Sequence, residues 1–213
     1  MRGVIALADK VYVLGSGGHA RTVAESLSDC RHRQENGQPL QFIFIKKDDG
    51  ETHASDRVIQ EKELKTLQEP IQLFNGIGAN PHLSPRRSIF EAYYGQQNIS
   101  FPTLIHPDAS VASSAIIADG VQILRQVSIG SDVTIGENAL IYSRSVVEHG
   151  SEIGNHCFIG PGAILCGDVQ LAHSVFIGAG AIVLPGVEIG EGAIIGAGVT
   201  VRQSVPPSDI VRI

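Results

Sequence analysis

The stretch 127–154 reads VSIGSDVTIGENALIYSRSVVEHGSEIG, and its spacing decides the fold. An aliphatic residue recurs at every sixth position: Ile129, Ile135, Ile141, Val147 and Ile153. The period runs outward in both directions, so every sixth residue from Val111 to Val201 is Val, Ile or Leu. Two places before each stands a small residue or Val, from Ala109 and Ala115 through Ser151 and Cys157 to Val199. A glycine often follows the aliphatic, as at Gly130, Gly136, Gly154, Gly160, Gly178, Gly190 and Gly196. An α-helix has a period of 3.6 residues and cannot hold a six-residue repeat on one face. A parallel β-helix can. Each hexad is a short strand and a turn, three hexads make a triangular coil, and the aliphatics fill the interior. Stacked coils pair backbone with backbone at roughly 4.8 Å, and together bury a core that no single repeat could bury. The small residues and the glycines are expected at the corners, where the chain needs angles that other residues resist.

The rest of the composition agrees with thin stacked layers. Of 213 residues, 43% are hydrophobic but only 5% aromatic, with 24 glycines and no Trp. The formal net charge of −6 offers no basic face for a nucleic acid. No window approaches the ~18 apolar residues of a membrane span, and the opening MRGVIALADK is too short and too poorly patterned for a signal peptide. Three cysteines, Cys30, Cys157 and Cys166, lack metal-ligand spacing and read as reduced thiols of a cytoplasmic protein. No set of histidines has metal-ligand spacing either, so no metal is expected.

Residues 11–100 follow another pattern. VYVLGSGGHARTVAESL reads as strand, glycine turn and helix, with Gly15, Gly17 and Ala20 fitting G-x-G-x-x-G/A. QFIFI (41–45) and IQLFNGIGAN (71–80) read as two further strands, with helical stretches near 60–68 and 84–94. The expected fold is α/β plus β: a small Rossmann-like domain over 11–100, then a β-helix over 101–213. The boundary falls in FPTLIHPDAS (101–110), which carries Pro102 and Pro107. A ligand of the first domain should lie at the C-terminal ends of the strands, its phosphates on the N–H groups after Gly15. The same glycine pattern also serves tight turns that bind nothing. A dinucleotide fold would place an acid after the second strand, but Lys46 and Lys47 stand there, followed by Asp48 and Asp49. A nucleotide-sugar therefore suits the domain better than NAD.

Within the hexad run, Glu148 and His149 stand at a turn, beyond the core position Val147. Polar residues occupy other turns too, such as Glu137, Arg144, Asn155 and His173, so a solvated turn residue is one reading of His149. The other is a general base, since imidazole can take a proton near neutral pH.

The order GSGGHA, LIHPDA, then hexads containing VVEHGSEIG, IGPGAILCG and VLPGVEIG resembles one bacterial sugar acyltransferase family. Its types are the sialic acid O-acetyltransferases and the N-acetyltransferases of nucleotide-linked 4-amino sugars. The resemblance spans about residues 11–207. It implies a left-handed β-helix, acetyl-CoA as cosubstrate, a homotrimer, and a nucleotide-sugar held by the N-terminal domain. By resemblance, His149 is the catalytic histidine and Gly17, Gly18 and His19 cradle the nucleotide, beside Gly15, Lys46, Gly78 and Asn80. Gly167, Ala179 and Ala197 fall where backbone groups meet the cofactor, with Phe158 at a further cofactor contact. Three positions depart from the family. Gly150 replaces the acid that follows the histidine, Phe158 replaces a second histidine, and Lys46–Lys47 replaces an acidic pair. With no acid at 150, Glu148 is the candidate orienting carboxylate. Installing Asp at 150 would be expected to raise the rate unless another group already serves.

The function expected is acetyl-CoA-dependent N-acetylation of a nucleotide-linked amino sugar for surface glycans such as lipopolysaccharide, with His149 as base. O-acetylation of a sialic acid-like sugar is the alternative within the class. A non-catalytic hexapeptide-repeat binding module is the alternative outside it.

Overall fold

The computed structural model describes residues 7–32, 39–46, 57–82 and 85–212. Lys47, Asp48 and Asp49, read above for nucleotide choice, lie outside the described residues. The chain divides into two compact units, Gly3–Pro102 and, apart from the first two residues, Thr103–Ile213.

The first unit is a parallel sheet with three helices among its described residues. β1 (Lys10–Leu14) leads to α1 (Gly18–His32), and β2 (Gln41–Lys46) follows. Next come β3 (Arg57–Gln60), α2 (Glu61–Leu64), β4 (Ile71–Asn75), α3 (Pro85–Tyr93) and β5 (Ile99–Ser100). The strand order is β3-β2-β1-β4-β5, and all pairs are parallel. Parallel central strands are covered on both faces; accordingly Val11, Tyr12, Val13 and Leu14 of β1 are all buried. α1 packs through Ala20, Val23, Ser26 and Leu27, one face of a helix. Pro85 opens α3, where a missing N–H costs nothing.

From Thr103 onward the chain is a β-solenoid of two-residue strands forming three parallel faces. A six-stranded face stacks Ser110–Val111, Ser128–Ile129, Val146–Val147, Ile164–Leu165, Ile182–Val183 and Thr200–Val201. A five-stranded face holds Ile116–Ile117, Thr134–Ile135, Glu152–Ile153, Gln170–Leu171 and Glu188–Ile189. A seven-stranded face holds, among others, Leu140–Ile141, Phe158–Ile159, Phe176–Ile177 and Ile194–Ile195. Between consecutive coils the register is eighteen residues, as in Val146↔Ile164 and Phe158↔Phe176. The six-residue aliphatics and the small residues two places before them form one continuous core.

The corners differ from the sequence expectation in one respect. The left-handed backbone position lies three residues after the aliphatic, and it recurs every six residues from Gly120 to Gly198. Asp132 (φ 59°), Asn138 (56°), His156 (62°) and Asp168 (60°) occupy it as well as glycines, in keeping with the tolerance of Asp, Asn and His for this region. The glycines directly after the aliphatics serve another purpose. A methyl group on Gly130 would stand 2.7 Å from the His149 backbone nitrogen, and one on Gly178 would stand 2.5 Å from that of Ala197. These glycines let successive coils approach to hydrogen-bonding distance.

Candidate active site

His149 stands at the corner between the six-stranded and five-stranded faces, after Val146–Val147 and before Glu152–Ile153. Its main chain is fixed from the next coil, because the Asp168 N–H donates to the His149 carbonyl at 2.8 Å. The Glu148 N–H donates to Leu165 O at 2.9 Å, and Gly150 N–H to Ser131 O at 3.0 Å. The side chain is exposed and leans along the stack onto Gly167. A methyl group on Gly167 would stand 2.5 Å from Cε1 and 2.7 Å from Nε2 of the imidazole. Only glycine leaves that room. The imidazole makes no hydrogen bond among the described residues, so both ring nitrogens are open. The Gly167 N–H likewise donates to no described acceptor, while its carbonyl accepts from Gly186 at 3.0 Å. An open imidazole and an open backbone donor thus adjoin at one corner. That pair suits a reaction in which a proton leaves the attacking group while negative charge grows on a carbonyl oxygen.

Glu148 is exposed and makes no hydrogen bond to His149. The space beside Gly150 is taken by a residue the sequence reading passed over. A methyl group at Gly150 would stand 2.2 Å from Oδ1 of Asp168 and 3.4 Å from its Cγ. The expectation that an added Asp at 150 would raise the rate therefore meets an occupied site. Stepping eighteen residues from Gly150 finds Asp168 in the sequence; nothing there says that its side chain leans back.

Ala179 and Ala197 stack eighteen residues apart at a different corner, between the seven-stranded and six-stranded faces. Their N–H groups donate to no described acceptor. Phe158 lies on the seven-stranded face, stacked on Phe176 at 4.6 Å between ring centroids, with Tyr142 edge-on at 5.6 Å. Within one chain, His149 and Gly167 are therefore brought together, and Ala179, Ala197 and Phe158 are placed along another edge.

In the N-terminal unit the other site residues gather where the strand order reverses. β1 is flanked by β2 and β4, and the Gly15 N–H donates to Ile45 O at 2.8 Å. Gly15 has φ +84° and sits against Ile77, with an added methyl 2.9 Å from Ile77 Cδ1. Gly17 and Gly18 face open space, with no atom within 4 Å of an added methyl, and Gly18 begins α1. Gly78 lies beside His19, an added methyl being 3.6 Å from His19 Cβ. Lys46 is buried at the end of β2. Asn80 is committed to a local turn, its Oδ1 accepting from His82 N–H at 2.9 Å. Two supports were not foreseen. Gly76 admits close packing of β1, β4 and α1, since a methyl there would stand 2.3 Å from Leu14 O and 2.7 Å from Ala20 Cβ. Buried Arg86 donates through Nη1 to Asn75 O (2.9 Å) and Ile77 O (3.0 Å), holding the loop after β4. The result is a glycine turn open at Gly17 and Gly18, at a helix N-terminus and the switch point of an open parallel sheet, an arrangement suited to phosphates.

The hexads match the family description "Bacterial transferase hexapeptide (six repeats)" over residues 132–167 and 168–203. Among solved structures, PerB from Caulobacter crescentus in complex with CoA and GDP-perosamine is 31% identical. The TM-score is 0.80, and the match covers 94% of this chain and 92% of that one. The chain belongs to the bacterial hexapeptide-repeat sugar acyltransferase family. The acetyltransferase domain of PglB from Neisseria gonorrhoeae FA1090, in complex with acetyl coenzyme A, is 27% identical with TM-score 0.83, covering 96% of each chain. WeeI from Acinetobacter baumannii AYE, at 23% identity and TM-score 0.78 over 95% of this chain and 96% of that one, shares the fold. Comparison with curated proteins gives no match. As a member of this sugar acyltransferase family the chain is an enzyme of acyl transfer. No helix among its described residues is long and apolar enough to cross a membrane.

Proposed function

We propose that this acyltransferase moves the acetyl group of acetyl-CoA onto the amino group of a nucleotide-linked amino sugar, with His149 as general base. The observation that carries the reading is the seating of the His149 imidazole on Gly167, with both ring nitrogens and the Gly167 N–H open. The amine nitrogen attacks the thioester carbonyl carbon, and a C–N bond forms. His149 takes the proton lost by the amine. The Gly167 N–H faces the oxyanion, the C–S bond breaks, and coenzyme A leaves as the thiolate to be protonated. No covalent enzyme intermediate is required, because the thioester already carries a good leaving group.

The N-terminal unit is the Rossmann-like nucleotide-sugar domain in this reading, with 11–100 and 101–213 as the two functional halves and a left-handed solenoid in the second. The diphosphate sits on the N–H groups of Gly17, Gly18 and His19, supported by the open space at both glycines. Gly15, Lys46, Gly78 and Asn80 border it. Coenzyme A runs along the free N–H groups of Ala179 and Ala197, near Phe158. These lie at a different corner from His149. A homotrimer, in which the cofactor edge of one protomer meets the histidine corner of the next, reconciles the two. Transfer to nitrogen is favoured because a structure 30% identical over 94% of this chain is of a GDP-perosamine N-acetyl transferase. The reaction would serve surface glycan assembly in the cytoplasm.

The test is thiol release from acetyl-CoA with a panel of GDP- and UDP-linked amino sugars, with product mass measured. A mass gain of one acetyl group on an amino sugar is the expected result. Transfer only to hydroxyl-bearing sialic acid-like sugars would replace the acceptor. No transfer to any acceptor, with nucleotide-sugars still bound, would favour a binding module.

A further inference from the structure

Resting on His149 as the base, we infer that Asp168 is its positioning acid and that Gly150 is glycine to make room for it. Four residues of two adjacent coils form a square at this corner: His149 and Gly150 on one, Gly167 and Asp168 on the next. Each glycine faces the side chain diagonal to its own neighbour. The His149 imidazole leans forward over Gly167, where an added methyl would meet Nε2 at 2.7 Å. The Asp168 carboxylate leans back over Gly150, where the three nearest atoms to an added methyl all belong to Asp168. The two side chains therefore run past each other in neighbouring columns. Their main chains are tied by the hydrogen bond from Asp168 N–H to His149 O at 2.8 Å.

The carboxylate makes no hydrogen bond among the described residues, nor does the imidazole. One ring nitrogen is thus open to the acceptor's proton and the other to the acid. The remaining acids of the corner are placed less well. Glu148 shares the turn with His149 and makes no hydrogen bond to it, and Asp132 lies one coil back, on the side from which the imidazole leans away. A carboxylate in the neighbouring column offers the ring an acceptor that sets its orientation. Asp168 acts through His149 and touches no reacting atom.

The corner also permits an exchange. Residue 150 has φ +66° and residue 168 has φ +60°. Asp stands at +59° at Asp132, and glycine accepts such angles freely, so either residue fits either place. Moving the acid from 168 to 150 keeps one carboxylate in the same space.

The experiment measures kcat and KM for acetyl-CoA for His149→Ala, Asp168→Asn, Asp168→Gly, Gly150→Asp and the double variant Asp168→Gly/Gly150→Asp. Asp168→Asn should lower kcat about 10-fold or more, the worth of about 1.4 kcal/mol. KM for acetyl-CoA should change less than twofold. Gly150→Asp should bring no gain, since two carboxylates then compete for one space. The double variant should recover to within about threefold of wild type, whereas Asp168→Gly stays slow. Wild-type kcat in Asp168→Asn, alongside an inactive His149→Ala, would overturn the role of Asp168 and leave the base intact. A slow Asp168→Gly that the exchange does not rescue would show a structural role only and also overturn it. An active His149→Ala would instead remove the base on which this inference rests.

Discussion

The imidazole of His149 rests on the α-carbon of Gly167, one coil further along the solenoid, where an added methyl would lie 2.5 Å from Cε1. Gly167 is not among the residues with positive φ, so its backbone would accept alanine. The conflict is with the ring alone. Gly167→Ala should therefore leave the fold and melting temperature nearly unchanged while displacing the base. A displacement of this kind costs on the order of 10²-fold in kcat. Steady-state kinetics beside a thermal melt check this; a full rate in a folded Gly167→Ala would free the histidine from this contact.

The solenoid core is one column per face, and Ile159 is fully buried within it. Ile159→Ala removes a methylene and two methyls from a stack whose neighbours, Ile141 and Ile177, are held by the backbone ladder. The expected loss is about 3 kcal/mol, within the range for large-to-small core changes. Urea denaturation with the midpoint shifted and the slope unchanged would support it.

The reach of the sequence can be judged from these same residues. The six-residue period was legible because every hexad fills the same triangular interior, so Ile141, Ile159 and Ile177 face one requirement. The strand–glycine–helix entry at Gly15–Ala20 was legible because a tight turn and close helix packing restrict residue type. Arg57–Gln60 and Ile99–Ser100 were passed over, since strands of four and two residues carry no detectable alternation. The glycines after the aliphatics were noticed but given the wrong task. Close approach between coils depends on contacts eighteen residues apart, which a local pattern does not display. Asp168 was missed for the same reason.

Cys157 fills a core position, with its thiol donating to Ala172 O at 3.0 Å. Burial pushes that thiol up to about 12, whereas Cys30 and Cys166 are partly exposed. At pH 8 the thiolate fraction of Cys157 is on the order of 10⁻⁴, and the thiolate is the reactive form. Iodoacetamide followed by peptide mapping should label Cys166 and leave Cys157 untouched until denaturant is added. Labelling of Cys157 as fast as Cys166 in the folded enzyme would contradict its burial.

Gly17 faces open space, so Gly17→Val should fold. The new side chain would enter the volume proposed for the diphosphate. KM for the nucleotide-sugar should rise at least 10-fold, with acetyl-CoA binding unchanged. Calorimetry of each ligand separates the two effects, and unaltered sugar binding would move the diphosphate elsewhere.

The central claim is general-base catalysis at the solenoid corner, and turnover of His149→Ala with acetyl-CoA and an accepted amino-sugar nucleotide tests it most directly. A positioned general base contributes about 10²–10⁴-fold. The account predicts a fall in kcat of that size, with coenzyme A binding nearly unchanged because the imidazole meets only the reacting atoms. A His149→Ala enzyme that keeps more than half the wild-type rate would contradict it.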